Sequence, residues 1–206
     1  MTKTIFPFDS QISYEQRKEA MMQEPRLIWL TGLSGSGKST LALRLEHYFF
    51  FKRFKVFILD GDNMRSGLCS DLGFSENDRK ENLRRVGEVS KLMLDAGLTV
   101  ICAFISPSWE DRLAIKTIVG EQRFIEVYVN CSLEVCEERD VKGLYAKARK
   151  GIIPNFTGVS APYDPPVLPD VEVHTAEETV EESMYKIIKL VEPAISLQTL
   201  QAYYCI

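Results

Sequence analysis

Eight residues, Gly32-Leu33-Ser34-Gly35-Ser36-Gly37-Lys38-Ser39, fit the pattern G-x-x-x-x-G-K-[ST]. Each fixed position answers a chemical need. Glycines let a backbone wrap a triphosphate with its N–H groups turned inward, and a helix that follows offers its positive end to the anion. Lys38 is placed to neutralise β- and γ-phosphates, and the Ser39 hydroxyl to ligate Mg2+. Both flanks that such a loop requires are present. The apolar run 26–31 precedes it, and Leu41, Ala42, Leu45, Tyr48 and Phe49 recur at helical spacing after it. A chance match in a Ser/Gly-rich turn would lack both. The implied chemistry is binding of a nucleoside triphosphate and transfer of its terminal phosphoryl group.

A carboxylate pair follows in Asp60-Gly61-Asp62-Asn63-Met64-Arg65, at the end of the next apolar run. In an open α/β sheet the strand C-termini line the ligand crevice, so Asp60 and Asp62 are expected to face the phosphates. Two roles fit Asp60: holding Mg2+ through water, or taking the proton of an acceptor hydroxyl. D-G and D-N pairs also make turns; the upstream glycine loop is what favours the chemical reading. Next stand Arg65, Arg79, Lys80, Arg84 and Arg85, with Asn82 among them. Arg79 and Asn82 are three apart and share a helical face with Val86. An arginine fork suits phosphate or sulfate oxygens, whereas Lys80 and Arg84 read as a solvated charged face. A third basic group, Arg139, Lys142, Lys147, Arg149 and Lys150, opens the stretch 142–170, which is rich in Lys, Arg, Gly and Pro. A loop that long inside a compact domain is usually functional. With Tyr145, Phe156 and Tyr163 in it, a lid closing over the triphosphate and excluding water is expected.

These residues need a frame. Buried-type strands are expected at 26–31, 55–60, 98–105, 124–129 and 171–175, alternating with helices. Ser13 with Gln16, and Ser75 with Asp78, read as helix starts. Leu83, Val86, Val89, Met93 and Ala96 give the second of these helices its apolar face, and Gly97 closes it. Further helices are expected at 108–119, stopped by Gly120, at Leu133–Arg139, and from about Glu177 to Val191. The fold class is α/β: a single P-loop domain with a mostly parallel five-stranded sheet flanked by helices, and a lid. The expected division is an N-terminal extension with a short helix at 1–24 and the nucleotide-binding domain at 25–206.

Composition narrows the function classes. At 206 residues one domain is the default. A net charge of −4 argues against a dedicated nucleic-acid binder or a membrane-surface protein. No apolar run reaches a membrane-spanning length of about 18 residues, and the N-terminus lacks the apolar run of a signal peptide. Cys69, Cys102, Cys131, Cys136 and Cys205 are odd in number and scattered, and Cys131 and Cys136 lack CxxC spacing. Reduced thiols in a cytoplasmic protein are the expectation.

Taken together, the runs 28–40, 59–68 and 72–85 resemble the adenylyl-sulfate kinases. So do Phe104-Ile105-Ser106-Pro107, the run 139–149 that begins Arg139-Asp140-Val141-Lys142-Gly143-Leu144-Tyr145, and Phe156-Thr157-Gly158, in the family's order. The likeness runs from about Ile12 to Val191. It implies transfer of the γ-phosphoryl of ATP to the ribose 3′-hydroxyl of adenylyl sulfate, the step that makes the activated sulfate donor of sulfate assimilation. By this resemblance Gly32, Leu33, Ser34, Gly35, Ser36, Gly37, Lys38, Ser39 and Thr40, with Arg139, hold ATP and Mg2+. Asp62, Asn63, Arg65, Arg79, Asn82, Ile105, Ser106, Lys142, Leu144 and Thr157 form the adenylyl sulfate site, and Phe74 and Phe156 sandwich its adenine. Such stacking is worth about 1–3 kcal/mol per base. The family's serine at Ser106 has been labelled a phosphorylated intermediate. Direct in-line transfer needs no covalent step once both nucleotides face one another, so Ser106 is expected as a site residue and not as an obligatory nucleophile. A homodimer is implied as well. The chain carries no sulfurylase domain, so sulfate adenylation is expected on a separate sulfate adenylyltransferase.

One departure concerns stability. The family usually has glycine near position 53, where this chain has Arg53 and Phe54. A helix end that wants a left-handed residue is then either capped differently or strained. Two rivals remain. Another small-molecule kinase would share loop, sheet and lid but would not need the Phe74 and Phe156 stack. A nucleotide switch would normally carry an N-K-x-D stretch, which the sequence lacks.

Overall fold

The computed structural model describes residues 10–197. Residues 1–9 of the expected extension, and 198–206 with Cys205, lie outside the described residues. The five apolar runs form β1 (Leu27–Thr31), β2 (Val56–Asp60), β3 (Thr99–Ala103), β4 (Phe124–Asn130) and β5 (Val171–His174). Every pairing is parallel, in the order β2-β3-β1-β4-β5. The helices are α1 (Tyr14–Met21), α2 (Lys38–Phe51), α3 (Gly61–Ser66), α4 (Glu76–Asp95), α5 (Trp109–Val119), α6 (Leu133–Arg139), α7 (Leu144–Arg149) and α8 (Val180–Ile195).

The sequence of β1 explains its central place. All five residues are buried, and alternate side chains enter opposite layers. Ile28 and Leu30 join the core under α2 and α8, while Leu27 and Trp29 join the core under α4 and α5. Trp29 stacks on Phe104 at 5.2 Å and on Phe124 at 6.3 Å. Full burial of one such side chain contributes roughly 1.5–3 kcal/mol. The chain leaves β1 towards β2 and β3 on one side and later returns to β4 on the other. That reversal opens a crevice at the C-terminal end of β1. The segments following β1 to β4 all meet there.

Two capping signals form as read: Ser13 with Gln16 and Ser75 with Asp78 are reciprocal capping boxes; Ser108, expected inside the helix, caps α5 instead. Two differences matter. First, β3 stops at Ala103, short of the expected end, whereas α4 closes as expected with Gly97 at φ 96°. Second, α3 and α7 were unread, because six residues are too few to show a helical period. Asp60 caps α3, its Oδ1 accepting from Asp62 N at 3.0 Å.

Arg53 resolves the departure noted above. Phe54 N donates to Phe49 O at 3.0 Å and Arg53 N to Phe50 O at 2.9 Å. The Phe49 and Phe54 rings meet edge to face at 5.8 Å. This is a Schellman motif with arginine where glycine is usual, and Arg53 sits at φ 72°. At the same end of the sheet, fully buried Gln23 donates to Lys55 O at 3.0 Å and Gly97 O at 2.9 Å and accepts from Lys55 N at 2.7 Å. The last residues of the expected extension are thus bonded into the sheet.

Candidate active site

The glycine loop leaves β1 in a path that only glycine allows. A Cβ on Gly32 would stand 2.4 Å from Val129 O, at φ 153°. Gly37, at φ 99°, gives α2 no side-chain cap, so the first N–H groups of the helix are left for an anion. Lys38 is nearly buried, and its Nζ donates to Leu33 O at 2.6 Å. Burial pulls its pKa down to about 8, with Asp60 and the nearby cysteines opposing the shift. Ser39 Oγ donates to Asp60 Oδ2 at 3.0 Å.

The loop is clamped from outside by residues distant in sequence. Arg139 Nη1 donates to Gly35 O at 3.3 Å, and its Nη2 to Thr175 O at 2.6 Å. Thr175 Oγ1 donates to Ser36 O at 2.7 Å, and Tyr145 OH to Ser34 O at 2.8 Å. Leu33 packs with Leu144 against a small core of Cys131, Cys136, Tyr145, Ala148 and Phe156. Part of the 142–170 stretch is therefore built onto the glycine loop. Lys38 opens α2 and Arg139 ends α6 against the loop; Thr40 is exposed on the first turn of α2.

Most of the residues expected to take the acceptor lie apart from these clamps. Arg65 lies over the exposed Phe74 ring, 4.3 Å from its centre, and donates to Gly73 O at 2.7 Å. Arg79 reaches Phe74 O at 3.1 Å, Thr157 Oγ1 at 3.2 Å and Asn155 O at 2.6 Å. Its partners are neutral oxygens, and burial, with Arg65 second, lowers its pKa. A cation so placed would be stabilised by an anion. Asn82 is 3% exposed and its Oδ1 has no hydrogen-bond partner. Lys142 forms an ion pair with Asp62. Asn63 lies exposed on α3, its carbonyl accepting from Ser66. Phe156 is buried, edge-on to Tyr145 at 5.0 Å.

Ser106 is 2% exposed at φ 40°. Its hydroxyl donates to Thr31 Oγ1 at 2.9 Å and accepts from Trp29 Nε1 at 3.0 Å. Thr31 Oγ1 donates to Ile105 O at 2.7 Å.

Some basic residues belong elsewhere. Lys80 pairs with Glu76, and Arg84 with Glu81 and Glu88, on an exposed face as expected. Arg85 holds Asp71, Glu81 and Leu68 O, which makes it a brace of the turn before α4. Arg149 pairs with Glu137. Sequence reasoning missed Thr175 and the contact of Tyr145 with the loop. Thr175 carried one signal, its place just past a strand's C-terminal end.

A family model described as adenylylsulphate kinase matches residues 24–174. An adenylyl-sulfate kinase of Staphylococcus epidermidis is 50% identical over 181 residues, 88% of this chain and 91% of that protein. The Mycobacterium tuberculosis APS kinase CysC, solved in complex with AMPPNP and APS, superposes with a TM-score of 0.79 at 43% identity. That match covers 82% of this chain and 98% of that one. A hexameric APS kinase from Thiobacillus denitrificans gives a TM-score of 0.63 at 27% identity, over 84% of this chain and 30% of that one. On matches of this extent, the chain belongs to the adenylylsulphate kinase family of ATP-dependent phosphotransferases.

Proposed function

We propose that this chain transfers the γ-phosphoryl of ATP to the 3′-hydroxyl of adenylyl sulfate, giving ADP and the 3′-phosphorylated sulfate donor of sulfate assimilation. The observation that carries the reading is the short stretch Asp60–Asp62. Its first carboxylate meets Ser39 of the triphosphate loop, and its second meets Lys142 beside the acceptor residues. The two nucleotides would therefore meet above one strand end, with the reacting groups between them. Positioning and charge neutralisation then supply most of the catalysis.

In this reading the N–H groups of 32–40 and Lys38 hold the ATP phosphates. The Ser39 hydroxyl and Asp60 carboxylate are hard oxygen donors of the kind Mg2+ takes alongside phosphate; the ion, when bound, would neutralise charge on the transferring group. Asp60 serves better as metal anchor than as base, since Oδ1 is committed to capping α3. Arg65, Arg79 and Asn82 take the acceptor's anionic and polar groups. Phe74 and Phe156 flank its adenine, and Lys142 exchanges Asp62 for ligand. The proposed catalytic domain is 25–206, with Gln23 tying the residues before it to the sheet, and its proposed residence is cytoplasmic. A homodimer is the proposed assembly. Exposed Phe50, Phe51 and Phe57 offer apolar surface for it, and light scattering at twice the chain mass is the expected result.

The test is ATP consumption with and without adenylyl sulfate. Turnover that appears only when adenylyl sulfate is added, with a 3′-phosphorylated product, supports the proposal. Turnover indifferent to it would point to a switch or another kinase.

A further inference from the structure

Arg112 lies on the apolar face of α5, at helical spacing with buried Ile115 and Val119, and is only 4% exposed. A buried guanidinium is costly unless its donors are met. Nη1 donates to Ser106 O at 2.8 Å, and Nη2 to Asp164 O at 2.8 Å. Nε stands 2.8 Å from Glu126 Oε1 as an ion pair too bent to be a hydrogen bond. Glu126 thus supplies charge, and the two carbonyls supply direction.

Those carbonyls belong to different segments. Ser106 is in the loop after β3, and Asp164 is near the far end of the 142–170 stretch. Asp164 N also donates to Pro107 O at 2.8 Å. Tyr163 OH lies 3.0 Å from Thr31 Oγ1. The single hydroxyl proton of Thr31 goes to Ile105 O, so Tyr163 is the donor. Burial keeps that phenol protonated by raising its pKa. Every hydroxyl in the group is committed, and the unusual backbone of Ser106 is held among them. Such a conformation persists only where the surroundings over-determine it.

We propose that Arg112, together with Tyr163, is a positioning device for the acceptor nucleotide: it ties the loop Ile105–Pro107 to the end of the lid segment, so that the acceptor-facing backbone is ready before ligand arrives. The proposal rests on the kinase reading above. Ser106 then acts by position. Its proton is committed to Thr31, and no covalent step is asked of it.

Two variants test this. Tyr163→Phe removes one donor and keeps the ring beside Tyr128. Arg112→Lys keeps a charge opposite Glu126 and loses the fork. For each, KM is measured for adenylyl sulfate at saturating ATP and for ATP at saturating adenylyl sulfate. Amide exchange is followed in segments 104–108, 160–166 and 32–39. The expected result is a rise of about fivefold or more in KM for adenylyl sulfate, with KM for ATP changed by less than about twofold. Exchange in 104–108 and 160–166 should be about tenfold faster, with 32–39 unchanged. Equal rises in both KM values, or unchanged exchange in the two tied segments, overturn the proposal. Wild-type protein inert towards adenylyl sulfate would instead refute the kinase reading, and amide exchange alone would then decide whether Arg112 ties the segments.

Discussion

The two halves of the site are prepared in opposite ways. On the proposed ATP side the loop 32–39 is fixed from outside by Arg139, Thr175 and Tyr145, which hold the carbonyls of Ser34, Gly35 and Ser36. On the acceptor side Arg65, Arg79 and Lys142 have groups to bind an anion, but each is engaged with the protein's own oxygens or carboxylate. In the proposed reading ATP would enter a backbone cradle already made, where only Lys38 and Ser39 would exchange Leu33 O and Asp60 for ligand. Adenylyl sulfate, in the same reading, would have to displace the partners of all three cations, so part of its binding free energy would go into that exchange. The difference teaches that damage on the first side should lower the rate, whereas damage on the second should weaken acceptor binding.

The largest expected effect belongs to Lys38→Ala. Turnover should fall about a thousandfold, as for loss of a buried electrostatic donor, with thermal unfolding little changed. A variant retaining near wild-type turnover would dissolve the contrast. Asp60→Asn should lower kcat by about a hundredfold while moving ATP affinity less than about threefold; steady-state kinetics decide, and unchanged kcat removes Asp60 from the mechanism. On the acceptor side, Arg79→Ala should raise KM for adenylyl sulfate about tenfold, the loss of a charge-assisted bond, and leave ATP nearly untouched. Equal loss for both nucleotides would erase the distinction.

A pH series sharpens it further. Lys38 is deprotonated in the free protein above about pH 8, whereas bound phosphate favours the ammonium. ATP binding above that pH must take up a proton, so affinity should fall as pH rises, by at most about tenfold per unit. Calorimetry across pH 7 to 9.5 shows this directly, and a flat profile counts against it. The same shift has a stability consequence in the ligand-free protein. The unfolded chain binds the Lys38 proton up to about pH 10.4, so its destabilising contribution is full below pH 8 and relieved as pH rises above it. The smallest effect is a control at the far end of the sheet: Arg53→Gly should stabilise by about 1 kcal/mol, by relief of left-handed strain. Kinetics should not change, and a loss of stability in denaturant would show that Arg53 makes compensating contacts.

Much of this arrangement was legible in the chain. Strong apolar runs and capping pairs such as Ser75 with Asp78 are local signals, and they placed five strands and most helices to within a few residues. The glycine loop was legible for the same reason: its chemistry is packed into eight consecutive positions. What escaped was short or distant. Six-residue α3 and α7 have no period to read. Thr175 meets Ser36 across 139 positions, and Tyr145 meets Ser34 across 111; only folding brings them together. Arg112 did leave a trace, a cation at the spacing of buried Ile115 and Val119, where a solvent-facing residue has no place. Of the expected pair of rings, Phe74 is presented to solvent, while Phe156 is a wall of the small core around Tyr145.

Thr31 closes the last turn of β1. Its backbone runs straight into Gly32, and its side chain is the hub on which Ile105, Ser106 and Tyr163 converge. One residue therefore joins the glycine loop to the segment after β3. In the proposed reading the triphosphate loop and the segment 105–107 share one anchor, so a shift of either is felt by the other through a single side chain.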